Sequence, residues 1–414
     1  MDNKEYKPIY LVMVTGEGNH NKYYRMIVNP DGETFTVEYG RVGSSNQVRT
    51  YPLYQWTKKY NEKVKKGYVD QTSLMEDLIT EVKPVKTTPG YKDIEDDNIA
   101  ELVKRLMDMA HVKIQSNYRI ESNQVTQAMV DEAQKIIDSL TTIDNVGEFN
   151  TSLIKLFGVI PRKMSNVKDY LANDTDDFPE IIQDEQDLLD VMRGQVITHV
   201  AEESSDDGKE DDSPIRNETI LEAMGLVVEQ ISEDEVEMIK SKLGDCKNKY
   251  YKAWKVVNKN TQKRFDEFVD EEGIQDIRLF WHGSRNENWW SIINTGLVLR
   301  PTNAIITGKM FGYGIYYAPK ARKSLGYTSL SGSYWARGSS NSAFMALMNV
   351  AYGKPYDVYS FDHKYSSFNY KELQKESPGS NCLHAHEGSM LRNDEVIVYK
   401  EEQSTIRYLV ELRN

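Results

Sequence analysis

The segment from Trp281 to Tyr316 constrains the fold more than any other. It reads Trp281-His282-Gly283-Ser284-Arg285, then a helical stretch, then Thr307-Gly308-Lys309-Met310-Phe311-Gly312-Tyr313-Gly314-Ile315-Tyr316. The apolar run that ends in His-Gly-Ser predicts a strand, and the closely spaced glycines predict a second strand entered through a tight turn. Glycine has no Cβ, so its N–H and C=O can come close to a ligand. Two strands of this kind line a nucleotide-sized cleft with backbone. Farther on, Asn393-Asp394-Glu395-Val396-Ile397-Val398-Tyr399 predicts a strand opened by a carboxylate.

Bulk properties narrow the function classes. A chain of 414 residues with 39% hydrophobic and 28% charged residues is long enough for two or three globular units. A formal net charge of −13 argues against a protein that coats nucleic acid over its whole surface. The acidic excess lies in the middle, however, and the N-terminal segment through Lys92 carries a small basic excess, so a local basic face remains available. Cys246 and Cys382 stand far apart and cannot build a disulfide framework or a Cys-rich zinc site. The opening Met1-Asp2-Asn3-Lys4-Glu5 lacks the pattern of a signal peptide, and no apolar run approaches the roughly 18 residues of a membrane helix. The expectation is an intracellular protein without a membrane partner, in the nucleus of a eukaryote or the cytoplasm and nucleoid of a bacterium.

Periodicity changes along the chain. Ile9 to Val14, Tyr23 to Val28 and Phe35 to Tyr39 alternate as strands, with Asn29-Pro30-Asp31-Gly32 as a hairpin turn. Leu53, Trp56, Tyr60 and Val64 follow at helical spacing among lysines. This predicts a small β-rich domain over residues 1–85, closed by Pro84, Pro89 and Gly90. Over 92–200 the period becomes helical. Ile99, Leu102, Val103, Leu106 and Met109 form one stripe, and Val125, Met129, Ile136 and Leu140 a second with Ser122 as its N-cap. Phe149, Leu153, Leu156 and Phe157 form a third, and another surrounds Asp187 to Ile197. The pattern predicts an all-α bundle of about four to six helices. The acidic run over 201–215 reads as a linker. From 216 to 414 short apolar runs alternate with turn residues, predicting a mostly antiparallel sheet domain. The fold class is α+β multidomain.

Each local signal is ordinary alone, since a His after an aromatic strand, a Glu on a strand and a Gly-x-Gly turn are usually structural. Their order and spacing are informative. His282-Gly283-Ser284, then Gly312 to Tyr316, then Ser324 and Tyr327, then Glu395 resemble the poly(ADP-ribose) polymerase family, whose signature is a His, a Tyr and a Glu on three strands. The resemblance implies an ADP-ribosyltransferase that uses NAD+ as an electrophile and needs no metal. It implies a catalytic set of His282, Tyr316 and Glu395. Gly283 and Ser324 would hold the carboxamide, Tyr316 and Tyr327 would sandwich the nicotinamide ring, and His282 would bond the adenine-side or the nicotinamide-side ribose. Ser284 and Asn288 would serve the adenosine end. Val298 stands where the family often has an arginine, and Arg300 is close enough to substitute. Arg300 to Met310 takes the place of the donor loop, with Met310 and Lys323 at the acceptor side. The chemistry suits these residues. Cleavage of the nicotinamide–ribose bond passes through an oxocarbenium-like state, which a carboxylate such as Glu395 stabilises while polarising an acceptor hydroxyl. A cationic ring between two phenol faces is favourable.

Tyr39-Gly40-Arg41-Val42-Gly43 is similar to the Trp-Gly-Arg-Val-Gly core of the WGR domain, with Tyr in the Trp place. The resemblance implies binding to DNA ends or nicks through Tyr39, Arg41, Lys22 and Lys58, an aromatic ring stacking while the cations meet phosphates. Leu153 to Pro161 resembles the family's helical regulatory domain and implies a bundle that shields the NAD+ site until DNA binds. The expected function is therefore a poly(ADP-ribose) polymerase activated by DNA breaks, modifying Glu, Asp or Ser side chains of protein acceptors that include itself. A mono-ADP-ribosyltransferase is the first rival, because the insertion Ser329-Leu330-Ser331-Gly332-Ser333-Tyr334-Trp335 stands where it can reshape the acceptor side. A DNA-binding module with weak catalysis is the second. A hydride-transfer enzyme is disfavoured by the lack of a strand-turn-helix dinucleotide fingerprint.

Overall fold

The computed structural model describes residues 6–75, 90–118, 125–204, 215–299, 310–388 and 391–414. The chain forms two compact units. One comprises Met1–Thr87 with His111–His199, the other Thr88–Ala110 with Val200–Asn414. The helix Asp97–Asn117 is divided between them. Among the described residues no helix is long and apolar enough to cross a membrane.

In the first unit, β1 (Ile9–Thr15), β2 (His20–Val28), β3 (Thr34–Arg41), β4 (Gln47–Pro52) and β5 (Val69–Asp70) form an antiparallel sheet in the order β4-β3-β2-β1-β5. One face packs Leu11, Tyr24, Met26, Phe35 and Val37 on Trp56 of the helix Trp56–Val64. The other packs Tyr10, Val12, Tyr23 and Val42, and beside it Asn21 Nδ2 donates to the Arg162 carbonyl at 2.8 Å. The expected helices Gln127–Leu140 and Val146–Val159 are present, with the longer Phe178–Ser204 after them. Phe149 and Phe178 stack at 3.8 Å between centroids. The second stripe differs from expectation in one residue: it buries Met129, Val130, Ala133, Ile137 and Leu140, so Ile137 rather than Ile136 faces inward. Ser122 lies outside the described residues, and Thr126 performs the cap, its Oγ1 accepting from Met129 N at 3.1 Å. A buried ion pair joins Arg162 to Glu185, with Phe157 and Tyr170 under the guanidinium.

The second unit holds two larger sheets. Short β6 (Gly90–Lys92) and β7 (Ile215–Thr219) pair apart from them. β8 (Leu226–Gln230), β9 (Tyr250–Asn258), β10 (Ile277–Gly283), β12 (Ser342–Ala351) and β16 (Ser404–Arg413) make an antiparallel sheet ordered β10-β12-β16-β9-β8. β11 (Ile315–Tyr317), β13 (Pro355–Val358), β14 (Cys382–Ala385) and β15 (Glu395–Val398) make the other, ordered β11-β15-β14-β13. All their pairings are antiparallel except β13 with β14. The α+β reading holds. The cores are separate: Trp281, Met345, Leu347, Tyr408, Val410 and their neighbours in the first sheet, Phe311, Phe368, Leu383, Ile397 and Tyr399 in the second.

Candidate active site

The sheets are stitched at one place. Trp281 of β10 exchanges both backbone hydrogen bonds with Ala318, just after β11, each at 2.9 Å. This brings the end of β10 beside β11, so His282 and Gly283 lie next to Tyr316. His282 Nδ1 is 3.0 Å from the Tyr316 carbonyl oxygen. A carbonyl only accepts, so Nδ1 carries a proton.

Backbone packing explains the glycines. A Cβ on Gly283 would lie 2.0 Å from the Ser324 carbonyl oxygen, so the strand end and the helix Ala321–Leu325 meet with no room for a side chain. Gly312 has φ +73° and sits against the backbone of Phe368, while a Cβ on Gly314 would strike Ile397. The Gly-x-Gly pair is thus a turn and a sheet contact together. Tyr316 fastens this turn: its hydroxyl donates to the Gly312 carbonyl at 3.0 Å and accepts from Phe311 N at 2.9 Å.

Glu395 is the first residue of β15, and its neighbour Val396 pairs with Tyr317 of β11. The residue is 3% exposed. Lys323 Nζ stands 2.5 Å from Oε1, while Oε2 is buried and has no hydrogen-bond partner among the described residues. Burial raises the carboxyl above its ordinary value, and the Lys323 ammonium opposes that shift. Burial, then the Glu395 charge, pushes the Tyr327 phenol well up; Tyr316 is raised chiefly by burial, with Glu395 and Tyr327 adding to it. Lys323 lies beside both the Glu395 carboxylate and the Tyr327 ring, 5.9 Å from its centroid, so these three side chains gather at one place.

Other expected residues fall as follows. Ser324 is buried, and its hydroxyl donates to the Trp281 carbonyl at 3.0 Å, keeping its lone pairs for a donor such as an amide. Asn288 donates to Ser284 Oγ at 3.0 Å, while its own Oδ1 is buried with no partner among the described residues. Met310 packs with Tyr316 against the second sheet's core. Arg300 lies outside the described residues, as does the donor loop up to Met310. In the β-rich sheet, Arg41 makes four hydrogen bonds: to the carbonyl and side chain of Asn19 and to the carbonyls of Met164 and Ser165, at 2.6 to 3.0 Å. Lys58 is exposed and Lys22 pairs in register with Arg41. Tyr39 lies beneath Lys63 and Arg49, 5.4 and 5.8 Å from its ring centroid.

Two contributors were not among the expected site residues, although Trp335 lies in the insertion noted at the acceptor side. Asn286 holds the turn after β10, donating to the Ser342 carbonyl at 2.9 Å and accepting from Phe344 N at 3.3 Å. Trp335 folds back on the cleft: its N–H donates to the Gly326 carbonyl at 2.9 Å and its ring stacks on Tyr327 at 6.1 Å and 15°. The aromatic pair Tyr334-Trp335 in a Gly/Ser-rich insertion was its sequence signal.

Comparison with known proteins identifies the family. Residues 229–414 match the model of the poly(ADP-ribose) polymerase catalytic domain, and residues 7–74 match the WGR domain. The putative poly [ADP-ribose] polymerase-like 100L of Invertebrate iridescent virus 6 is 30% identical over 40% of this chain and 87% of its own length. The chain belongs to the poly(ADP-ribose) polymerase family. Protein 101L of the same virus, uncharacterized, is 36% identical over 46% of this chain and 79% of its own. Poly [ADP-ribose] polymerase 2-A of Oryza sativa subsp. japonica is 22% identical, covering 95% of this chain and 67% of its own. As a member of the poly(ADP-ribose) polymerase family the chain is an NAD+ ADP-ribosyltransferase, with NAD+ as the substrate of its catalytic domain.

Proposed function

We propose that this poly(ADP-ribose) polymerase is activated by DNA ends or nicks and elongates ADP-ribose chains on protein acceptors, itself included. Glu395 supports elongation. Its Oε1 is held by Lys323 and its buried Oε2 is available to a hydroxyl. In this reading Oε2 accepts from the nicotinamide-side ribose, and the carboxylate stabilises the oxocarbenium ion and polarises the incoming ADP-ribose hydroxyl. Gly283 and Ser324 hold the carboxamide, Tyr316 and Tyr327 flank the ring, and His282 orients a ribose. Ser284 and Asn288 serve the adenosine end, with Arg300, and Met310 and Lys323 face the acceptor. Domain limits of 1–85, 92–200, 201–215 and 216–414 are part of the proposal.

The DNA reading draws on the aromatic and basic side chains that meet on the small sheet. Lys59 lies over Tyr51 at 4.7 Å and Lys63 over Tyr24 at 4.2 Å, with Arg49 by Tyr39 and Lys58 exposed. Such a surface suits a backbone and an exposed base. Arg41, engaged with the 164–165 carbonyls, would pass the binding event on to the helical segment. The test is labelled-NAD+ incorporation with and without short nicked or blunt DNA, with Glu395→Gln alongside. A long ladder that requires DNA and collapses in the variant is expected. Single-unit labelling without DNA overturns both activation and elongation, and favours the mono-transferase reading. That second reading rests on Trp335, whose insertion reaches Tyr327 and can narrow the acceptor side.

A further inference from the structure

The connection from β14 to β15 is closed by a polar pair that stands next to Glu395 in the chain. Asp394 Oδ2 is 3.1 Å from His384 Nε2, and its Oδ1 accepts from Glu387 N at 2.7 Å. His384 is 9% exposed, and its Nδ1 lies 2.7 Å from the Tyr352 hydroxyl. Burial pushes the Asp394 carboxyl up, yet the bonds from Glu387 N and His384 outweigh it and hold the group below its ordinary value. Burial also holds the His384 imidazole below its ordinary value, against the pull of Asp394. At neutral pH the pair is therefore a carboxylate and a neutral ring. A carboxylate only accepts, so Nε2 carries the ring proton and Nδ1 accepts from Tyr352. The bonds run in one direction, from Tyr352 to His384 to Asp394. Neighbours hold the rings in place: Arg278 lies over Tyr352 at 3.8 Å, and His386, bound to Asp357 at 2.7 Å, stacks on His384 at 4.1 Å.

We propose that His384 and Asp394 are positioning residues for ADP-ribose transfer: the pair fixes the entry into β15 and thereby the aim of the Glu395 carboxylate. The inference rests on the catalytic role proposed for Glu395. Ala385 is the register partner of Glu395, and His384 that of Val396. Cross-strand partners share a face and neighbours alternate, so His384 works from the face opposite the Glu395 side chain and leaves the carboxylate open to substrate. Glu395 is the first residue of a four-residue strand, so the ladder holds it from one side only. One of its oxygens is held by the long side chain of Lys323, and the other has no hydrogen-bond partner among the described residues. Its direction is therefore set chiefly by its backbone, which Asp394 ties down on the side the ladder leaves free. An apolar contact would close the same connection, but a hydrogen bond to each carboxylate oxygen of Asp394 fixes its orientation as well.

The test measures NAD+ turnover by the full chain with nicked DNA present, and Glu395→Gln in parallel. His384→Ala is expected to lower kcat by about 10- to 100-fold while KM for NAD+ stays within about threefold, the mark of a misplaced catalytic group rather than a damaged binding site. His384→Gln, whose Nε2 can still donate to Asp394, should recover kcat to within about threefold of wild type. Asp394→Asn has one acceptor oxygen for two donors and should lower kcat by about tenfold. Should His384→Ala fail to fold, Asp394→Asn against His384→Gln makes the same comparison. His363→Ala, outside the network, is the control and should change neither constant. The proposal is overturned if folded His384→Ala and Asp394→Asn keep wild-type kcat while Glu395→Gln loses it, or if folded His384→Gln is as impaired as the other two. A Glu395→Gln variant at wild-type rate overturns the catalytic reading of Glu395 itself, and the positioning role with it.

Discussion

Lys323 and Glu395 form an ion pair of 2.5 Å inside the cleft, with the carboxylate buried and the ammonium mostly so. Burial raises the proposed catalytic carboxyl above its ordinary value, and this one lysine opposes the shift. Glu395→Gln keeps the shape and removes the charge. In the proposed role it lowers kcat by about 10²-fold or more with little change in KM for NAD+, because the lost interaction grows only as the oxocarbenium ion develops. Lys323→Ala leaves the carboxylate buried and unpaired, costs about 1–3 kcal/mol of stability and also lowers kcat. Steady-state kinetics with thermal unfolding check both. A Glu395→Gln variant that elongates at wild-type rate removes Glu395 from the mechanism.

Gly283 gives the most local prediction. Its Cβ position is 2.0 Å from the Ser324 carbonyl oxygen, a backbone atom on a short helix. Gly283→Ala must push that helix from the strand and displace Ser324 and Tyr327 with it. The expected cost is about 1–3 kcal/mol of overpacking, with KM for NAD+ raised at least about tenfold. Gly388→Ala, where a Cβ meets nothing within 4 Å among the described residues, is the control and should change neither.

Arg105 forks onto Glu411 of β16 at 3.0 and 2.9 Å, and Ser342 Oγ and Arg413 add further bonds to the same carboxylate. Burial pushes the Glu411 carboxyl up, yet the hydrogen bonds from Arg105 and Ser342 outweigh it and hold the group below its ordinary value. A depressed folded-state pKa gives stability that is present above the unfolded value, about 4.3, and lost as pH falls through the folded value. Wild-type stability should thus decline below about pH 4, and Glu411→Gln should flatten that part of the curve. Arg105→Met should cost about 1–3 kcal/mol at neutral pH, since Glu411 keeps Arg413 and Ser342. Denaturant titrations across pH measure both effects.

The sequence made the cleft more legible than its frame. The apolar runs of β12, β15 and β16 were visible because strands buried on nearly every position read as continuous hydrophobic stretches. β4 was hidden, since its exposed edge carries Gln47, Arg49 and Thr50, and β9 was obscured by Lys252 and Lys255 within it. Ile136 and Ile137 are equally apolar, and only the packing of the bundle selects Ile137. Motif spacing marked Gly283 and Ser324 separately. That one exists without a Cβ because of the other's carbonyl is a long-range contact that no local pattern encodes.

The buried Arg162–Glu185 pair is a sensitive point of the first unit. Both side chains are under a tenth exposed, and burial pushes the Glu185 carboxyl up against the pull of Arg162. Removing one partner strands the other's charge, so Glu185→Ala should destabilise this unit by about 3–5 kcal/mol. An apolar pair, Arg162→Met with Glu185→Leu, should recover much of that loss. Hydrogen exchange in the helices Val146–Val159 and Phe178–Ser204 is the readout, and unchanged protection in Glu185→Ala would show that the pair is dispensable.

Trp335 separates two roles for the insertion. Its ring stacks on Tyr327 at 6.1 Å while its backbone N–H is tied to Gly326, so the side chain can be removed without releasing the loop. If it serves to hold Tyr327 for the nicotinamide ring, Trp335→Ala forfeits an aromatic pair of about 0.5–1.5 kcal/mol and raises KM for NAD+ by about 2- to 10-fold with kcat little changed. Trp335→Phe should restore most of the affinity. A changed product length at unaltered KM would place the ring on the acceptor side instead. The substitution separates the two roles because Trp335 touches a ring whose neighbours are Lys323, 5.9 Å from its centroid, and the charge of Glu395.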